Sequence, residues 1–214
     1  MAGLGNVPII ILKEGAKRET GKDAQKRNIV AAKAVAEAIR STLGPKGMDK
    51  MLINSSGDAT ITNDGAIILR EMDIEHPVAK MIVEVAKTQD DEIGDGTTTA
   101  VIIAGELLKR AETLIDQGVH PTIIVSGYKQ AQNKAIELLD GFAIDVSGNK
   151  EMLLKIAQTA MTGKGVEVFG AKLPNIAVDA AMAVAESKHI DLEESIKIVK
   201  IPGGNIDDSQ INFG

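Results

Sequence analysis

Gly94-Asp95-Gly96-Thr97-Thr98-Thr99 is the stretch of this sequence best suited to chemistry. Its glycines let the backbone approach a ligand without Cβ clashes. A helical pattern beginning Ala100-Val101-Ile102 follows at once. The open amides of a helix's first turn, together with its dipole, favour an anion. The three threonine hydroxyls add donors. Asp95 would repel a bare phosphate, so the pattern asks for a cation between them. Magnesium fits, because it prefers oxygen ligands and bridges carboxylates to phosphates. The competing reading is a helix capped by Asp and Thr after a glycine turn, with no ligand.

Two further stretches could share such a site. In Thr62-Asn63-Asp64-Gly65, Asp64 lies where a strand turns into a helix. It could cap that helix, or point across a site and orient a water for phosphoryl transfer. Thr42-Leu43-Gly44-Pro45-Lys46-Gly47 stops a helix and exposes backbone groups. Helix termination explains it without a ligand. Gly163-Lys164-Gly165 is not a P-loop, since it lacks both the leading glycine and the hydroxyl after the lysine. Taken alone it is a loop carrying a lysine. His76, His120 and His189 sit at turns or helix edges without metal-pair spacing, and read as structural or solvated. No serine–histidine–acid arrangement is legible.

The elements that must position these residues are mostly helices. Residues 23–43 carry Ile29, Ala32, Val35, Ala36, Ile39 and Leu43 at three- and four-residue steps. Gly44-Pro45 ends that helix. Residues 51–53 and 59–62 read as two short strands joined by a turn at 54–58. Asp64 opens a helix to about Met72, and Pro77 one to about Asp90. A long helix runs from the threonines to Gln117, where Gly118 ends it. Pro121 opens another to Leu139, ended by Gly141. Residues 142–146 read as a strand. Helices follow at 149–161 and 173–187, and residues 195–201 alternate like a strand. Residues 7–12 read as an extended arm. The fold class is mainly α with small β hairpins, with a domain boundary near residue 146.

Composition narrows the function classes. The 214 residues are 44% hydrophobic, with only four aromatics, so the core must be aliphatic. Base-stacking platforms for single-stranded nucleic acid are thereby disfavoured. There is no cysteine, which excludes disulfides, cysteine–zinc sites and thiol nucleophiles. The net charge of −6 gives no basic footprint for nucleic acid. Residues 1–50 hold ten Lys/Arg and five Asp/Glu, whereas residues 51–100 hold three and ten. That acidic block reads either as a solvated face or as a metal site. No secretory signal is visible, and no apolar run reaches the roughly 18 residues that span a bilayer. The expectation is a soluble, cytoplasmic protein without membrane or nucleic-acid partners.

Three segments in register resemble the group II chaperonins, the TCP-1 family that includes the archaeal thermosome. They are the run from Arg40-Ser41-Thr42-Leu43-Gly44-Pro45 to Met51-Leu52, the run Ile61-Thr62-Asn63-Asp64-Gly65-Ala66, and the run Gln89-Asp90-Asp91-Glu92-Ile93-Gly94-Asp95-Gly96-Thr97. Asn63 before Asp64, and Met48-Asp49-Lys50-Met51-Leu52, favour group II over the bacterial type. Ile67 departs from the family's usual smaller residue. The resemblance implies an ATP-dependent chaperone subunit of a double ring. Its partners would be other subunits and unfolded client proteins, and its cofactors ATP and Mg2+.

Residues 1–146 would then be the N-terminal part of an equatorial ATP-binding domain, and 147–214 an arm of the intermediate domain. The resemblance puts Asp95 on magnesium, Asp64 near the attacking water as the catalytic residue, and Lys164 toward the γ-phosphate. Its nucleotide-binding set is Thr42, Leu43, Gly44, Pro45, Asn63, Gly65, Gly94, Asp95, Gly96, Thr97, Thr98, Thr99 and Lys164. Family subunits are more than twice this length, and the match runs out near Gly203-Gly204-Asn205, where an apical domain would begin. The expectation is large exposed apolar patches and an incomplete catalytic site. The alternative function is a non-enzymatic fragment that associates with rings without hydrolysing ATP. An incomplete gene product without a separate function is a further possibility.

Overall fold

A computed structural model describes residues 20–166, 170–185 and 195–212. The expected arm at 7–12 and His189 lie outside the described residues. The fold is mainly helical with one small antiparallel sheet.

Helix α1 (Gly21–Arg40) buries Ile29, Ala32, Val35, Ala36 and Ile39. Their spacing puts them on one stripe, as the sequence predicts. The helix closes on its own carbonyls: the buried Thr42 hydroxyl donates to the Ile39 carbonyl at 2.7 Å. Gly44, at φ 87°, then turns the chain away, which a side chain would resist.

Strands β1 (Lys50–Ile53) and β2 (Ala59–Thr62) pair antiparallel, with Met51 opposite Ile61 and Ile53 opposite Ala59. The Asn54 side chain makes their turn by accepting from the Ser56 and Asp58 amides at 3.0 and 2.8 Å. Helices α2 (Gly65–Glu71), α3 (Pro77–Ile93), α4 (Thr97–Asp116) and α5 (Pro121–Phe142) follow. The pair α6 (Lys150–Met161) and α7 (Lys172–Val184) packs together. His76 and His120 cap α3 and α5: their Nδ1 atoms accept from Val78 and Thr122 amides at 3.3 and 3.4 Å. Both histidines are therefore structural, as expected.

The core is aliphatic throughout. It joins Ala32, Val35, Ala36 and Ile39 of α1 to Ile68 and Leu69 of α2, Ala79, Ile82 and Ala86 of α3, and Val101 of α4. The alanines let the helix axes come close. The tightest approach is between α1 and α4, where a Cβ on Gly105 would collide with the Ala36 methyl. Gly105→Val is therefore expected to lower stability by about 1–3 kcal/mol through overpacking. Thermal denaturation monitored by far-UV circular dichroism reads it, and an unchanged midpoint would contradict this packing.

Ion pairs join the same two helices on their outer side. Lys33 meets Glu112 at 2.6 Å, and Arg40 bridges Glu37 and Glu106. The hydrogen bond from Arg40 holds the Glu106 carboxyl below the usual carboxylate range. A lowered carboxylate contributes stability above its unfolded pKa and loses it as pH falls through the folded value. Glu106→Gln should accordingly make the acid side of the stability profile shallower, by a small amount because the pair is solvent-exposed. Urea denaturation at neutral and acid pH measures it. Equal slopes in the two proteins would remove the pair from the acid response.

Beyond shifts of about three residues at the ends of α1 and α3, three elements differ from the sequence reading. Helix α5 passes through Gly141 to Phe142 and closes when the Ala143 amide donates to the Leu139 carbonyl at 2.9 Å. A single glycine inside a long helix costs too little to end it. Residues 143–146 and 196–201 have no strand ladder. Alternating apolar residues form a strand only against a partner, and the one ladder among the described residues is β1–β2.

Large apolar side chains are exposed, as expected. In α5 only Ile124 is buried, while Leu139 and Phe142 are 66% and 75% exposed. Met51, Ile53 and Ile61 form an exposed apolar face on the hairpin. The Tyr128 hydroxyl ties α5 to α4 by donating to the Leu107 carbonyl at 2.6 Å.

Candidate functional site

A cavity of about 650 Å³ opens where the end of α1, the β2–α2 junction and the start of α4 converge. Helix α6 and the loop after it form its other wall. The volume lies within the range of small-molecule sites.

The α4 side begins with two glycines in left-handed geometry, Gly94 at φ 75° and Gly96 at φ 76°. Gly94 ends α3 and Gly96 starts α4. Between them Asp95 is pinned at both ends. Its Oδ1 accepts from the Gly96 amide at 2.8 Å, and its carbonyl accepts from Gln89 Nε2 at 2.8 Å. Oδ2 takes no hydrogen bond among the described residues. Helix α4 has no side-chain cap, so its first-turn amides remain open donors beside three threonine hydroxyls.

Asp64 does two things at once. Its Oδ1 caps α2 by accepting from the Ala66 and Ile67 amides at 2.9 and 3.1 Å. Its Oδ2 lies 3.9 Å from Lys164 Nζ. The two readings of Asp64 from sequence are therefore compatible. Gly65 is required behind it, because a Cβ there would strike the Thr98 side chain. This contact joins the β2–α2 junction to the threonine run.

The opposite wall is fastened at two points. Asn63 Nδ2 donates to the Gly163 carbonyl. Gly163, at φ 81°, lies against Gly44 and Pro45, and a Cβ on it would stand 3.1 Å from the Gly44 carbonyl. Lys164 thereby faces the cavity from the loop. On α6, Lys155 lines the cavity while paired with Glu151 at 2.7 Å.

Twelve predicted residues besides Asp64 line this cavity or its border: Thr42, Leu43, Gly44, Pro45, Asn63, Gly65, Asp95, Gly96, Thr97, Thr98, Thr99 and Lys164. Gly94 does not line it and acts as the end of α3. The sequence reading missed Met152, Lys155, Ile156, Thr159 and Ala160 on α6, whereas Thr162 and Gly163 belong to the loop on which it placed Lys164. Their helical spacing was legible, but a face turned toward a cavity reads in sequence like any half-buried face.

The donor set suits a phosphate-bound magnesium better than a metal held by protein alone. Among the described residues no group of three or more His, Cys, Asp or Glu side chains could hold a metal ion. One carboxylate, Asp95, beside open amides and hydroxyls matches the way Mg2+ is shared between a protein oxygen, phosphates and water. Among the described residues no helix is long and apolar enough to cross a membrane.

Comparison with known proteins adds an independent line. A model of the TCP-1/cpn60 chaperonin family matches residues 35–214. The chain is 58% identical to thermosome subunit beta of Archaeoglobus fulgidus over 218 residues, covering 100% of this chain and 40% of that protein. Thermosome subunit beta of Methanothermobacter thermautotrophicus is 58% identical over 210 residues, covering 98% and 39%. A thermosome subunit of Pyrococcus horikoshii is 56% identical over 218 residues, covering 100% and 40%. The chain thus spans about 40% of the length of these curated relatives.

Proposed function

From the premise that the chain belongs to the TCP-1/cpn60 chaperonin family, we propose that its cavity binds Mg-ATP and serves an ATP-driven protein-folding machine. The observation that carries this reading is the uncapped start of α4, with Asp95 before it and Lys164 across the cavity. The first-turn amides and hydroxyls of Thr97, Thr98 and Thr99 hold phosphate oxygens. Asp95 holds the magnesium, which when bound neutralises phosphate charge. Leu43, Gly44 and Pro45 run along the nucleotide. Asp64 orients the water that attacks the γ-phosphoryl group in line. Lys164 reaches the γ-phosphate and reports it to α6 and α7.

Residues 1–146 act as the nucleotide-binding, ring-forming part, and 147–214 as the arm that moves with nucleotide state. The partners are other chaperonin subunits and, in the assembled ring, unfolded clients. The working compartment is the cytoplasm. Titration calorimetry of the purified protein with ATP tests the core of this reading. Saturable, magnesium-dependent binding is expected, and none at millimolar nucleotide would reject it.

A second reading is favoured by one observation, the apolar surface of α5 with Leu139 and Phe142 exposed. On it, the chain associates with chaperonin rings without hydrolysing ATP. Sedimentation with and without purified rings, alongside a phosphate-release assay, separates the two. Ring association without magnesium-dependent phosphate release would select this second reading.

A further inference from the structure

We propose that Asn63 is a positioning residue, a latch whose side chain holds the 162–164 loop so that Lys164 stands over the phosphate end of the cavity. The inference rests on the Mg-ATP reading above. It concerns how the α6 wall is kept in place, which that reading leaves open.

The geometry is a two-point clamp built by adjacent residues. Asn63 Nδ2 donates to the Gly163 carbonyl across 100 residues of sequence, in a partly buried setting. The next residue, Asp64, faces the next residue of the loop, Lys164, with Oδ2 and Nζ 3.9 Å apart. A half-exposed ion pair at that separation contributes little by itself. A partly buried amide–carbonyl bond is directional and less screened. The side-chain amide therefore fixes the loop, and the ion pair only orients the end of Lys164.

Sterics support the same division. Gly163 is at φ 81°, with an added Cβ 3.1 Å from the Gly44 carbonyl and 3.4 Å from Pro45 Cα. The loop thus lies directly on the turn after α1, where a side chain on Gly163 would be tight against backbone. The latch bond crosses this seam beside a backbone contact. Its loss frees the loop without opening the α1–α4 core, which contains neither residue.

The test pairs Asn63→Ala with Lys164→Ala and their double variant. Asn63→Leu serves as a second substitution that keeps the volume and removes the donor. Mg-ATP and Mg-ADP affinities are measured by titration calorimetry. Each single variant is expected to weaken Mg-ATP roughly two- to ten-fold while leaving Mg-ADP nearly unchanged. The double variant is expected to lose no more than Lys164→Ala alone, since one residue acts through the other. Hydrogen exchange should show faster amides at 162–166 in both Asn63 variants and unchanged protection in α1 and α4.

Additive losses, equal losses for ATP and ADP, or an unchanged exchange rate at 162–166 would each overturn the latch. The Mg-ATP reading would then stand, provided the unmodified protein binds Mg-ATP. Failure of the unmodified protein to bind removes both.

Discussion

Asp95→Ala is expected to lower Mg-ATP affinity by about a hundredfold or more, while leaving the fold intact. Changing even the outer partners of a bound metal costs about 10–100-fold, and Asp95 is proposed as a direct ligand. The backbone around it keeps two supports besides its carboxylate. Gly94 and Gly96 take positive φ, and Gln89 holds the Asp95 carbonyl. What the substitution removes is the Oδ1 bond to the Gly96 amide and an Oδ2 that takes no hydrogen bond among the described residues. The first loss frees one more amide at the head of α4, which should favour a bare phosphate. The second removes the oxygen proposed for magnesium. The two have opposite signs, so the magnesium dependence is the sharp readout. In the unmodified protein EDTA should abolish most nucleotide binding, and in Asp95→Ala it should change little. Equal sensitivity to EDTA in both proteins would take Asp95 off the metal.

The same residues show what was legible in the sequence. Helix α1 is legible from Ile29, Ala32, Val35, Ala36 and Ile39, because burial on one stripe imposes their spacing, whereas Leu43, the sixth residue of that pattern, lies past the helix end and is exposed. The β1–β2 hairpin was read from two short runs around an Asn-Ser-Ser-Gly-Asp turn, where each turn residue has a local reason to be there. The 94–99 loop was visible because glycines and a helix start are neighbours in sequence. Local chemistry left Asp64, Asp95 and the threonines open between helix capping and a ligand site, the family resemblance favoured the site, and these residues line one cavity. The wall formed by α6 was not legible. Met152, Lys155 and Ile156 line a cavity whose two sides are joined by the Asn63–Gly163 contact, a pairing that no local pattern encodes. The misread strands at 142–146 and 195–201 have a related cause. An alternating pattern states what a segment could pair with, and the ladder depends on a partner elsewhere.

Asp64 carries the second large effect, and its two oxygens allow its two roles to be separated. Oδ1 caps α2, and Oδ2 looks across the cavity toward Lys164. Asparagine caps a helix about as well as aspartate, whereas alanine forfeits roughly 1 kcal/mol. Asp64→Asn therefore keeps the cap and removes only the charge that would polarise a water. In the subunit at the full length of its relatives, this variant should turn over ATP about 10²–10⁴-fold more slowly. Nucleotide affinity should change little, because an interaction made in the transition state acts on rate. Asp64→Ala should show the same turnover loss plus a lower denaturation midpoint. The contrast between the two assigns the midpoint shift to the cap and the rate to the charge. If Asp64→Asn hydrolyses ATP at the unmodified rate, Asp64 is a helix cap alone, and the water must be oriented by another residue. If both variants lose affinity in step with turnover, Asp64 binds the ground state, and the role proposed for it moves from catalysis to nucleotide binding.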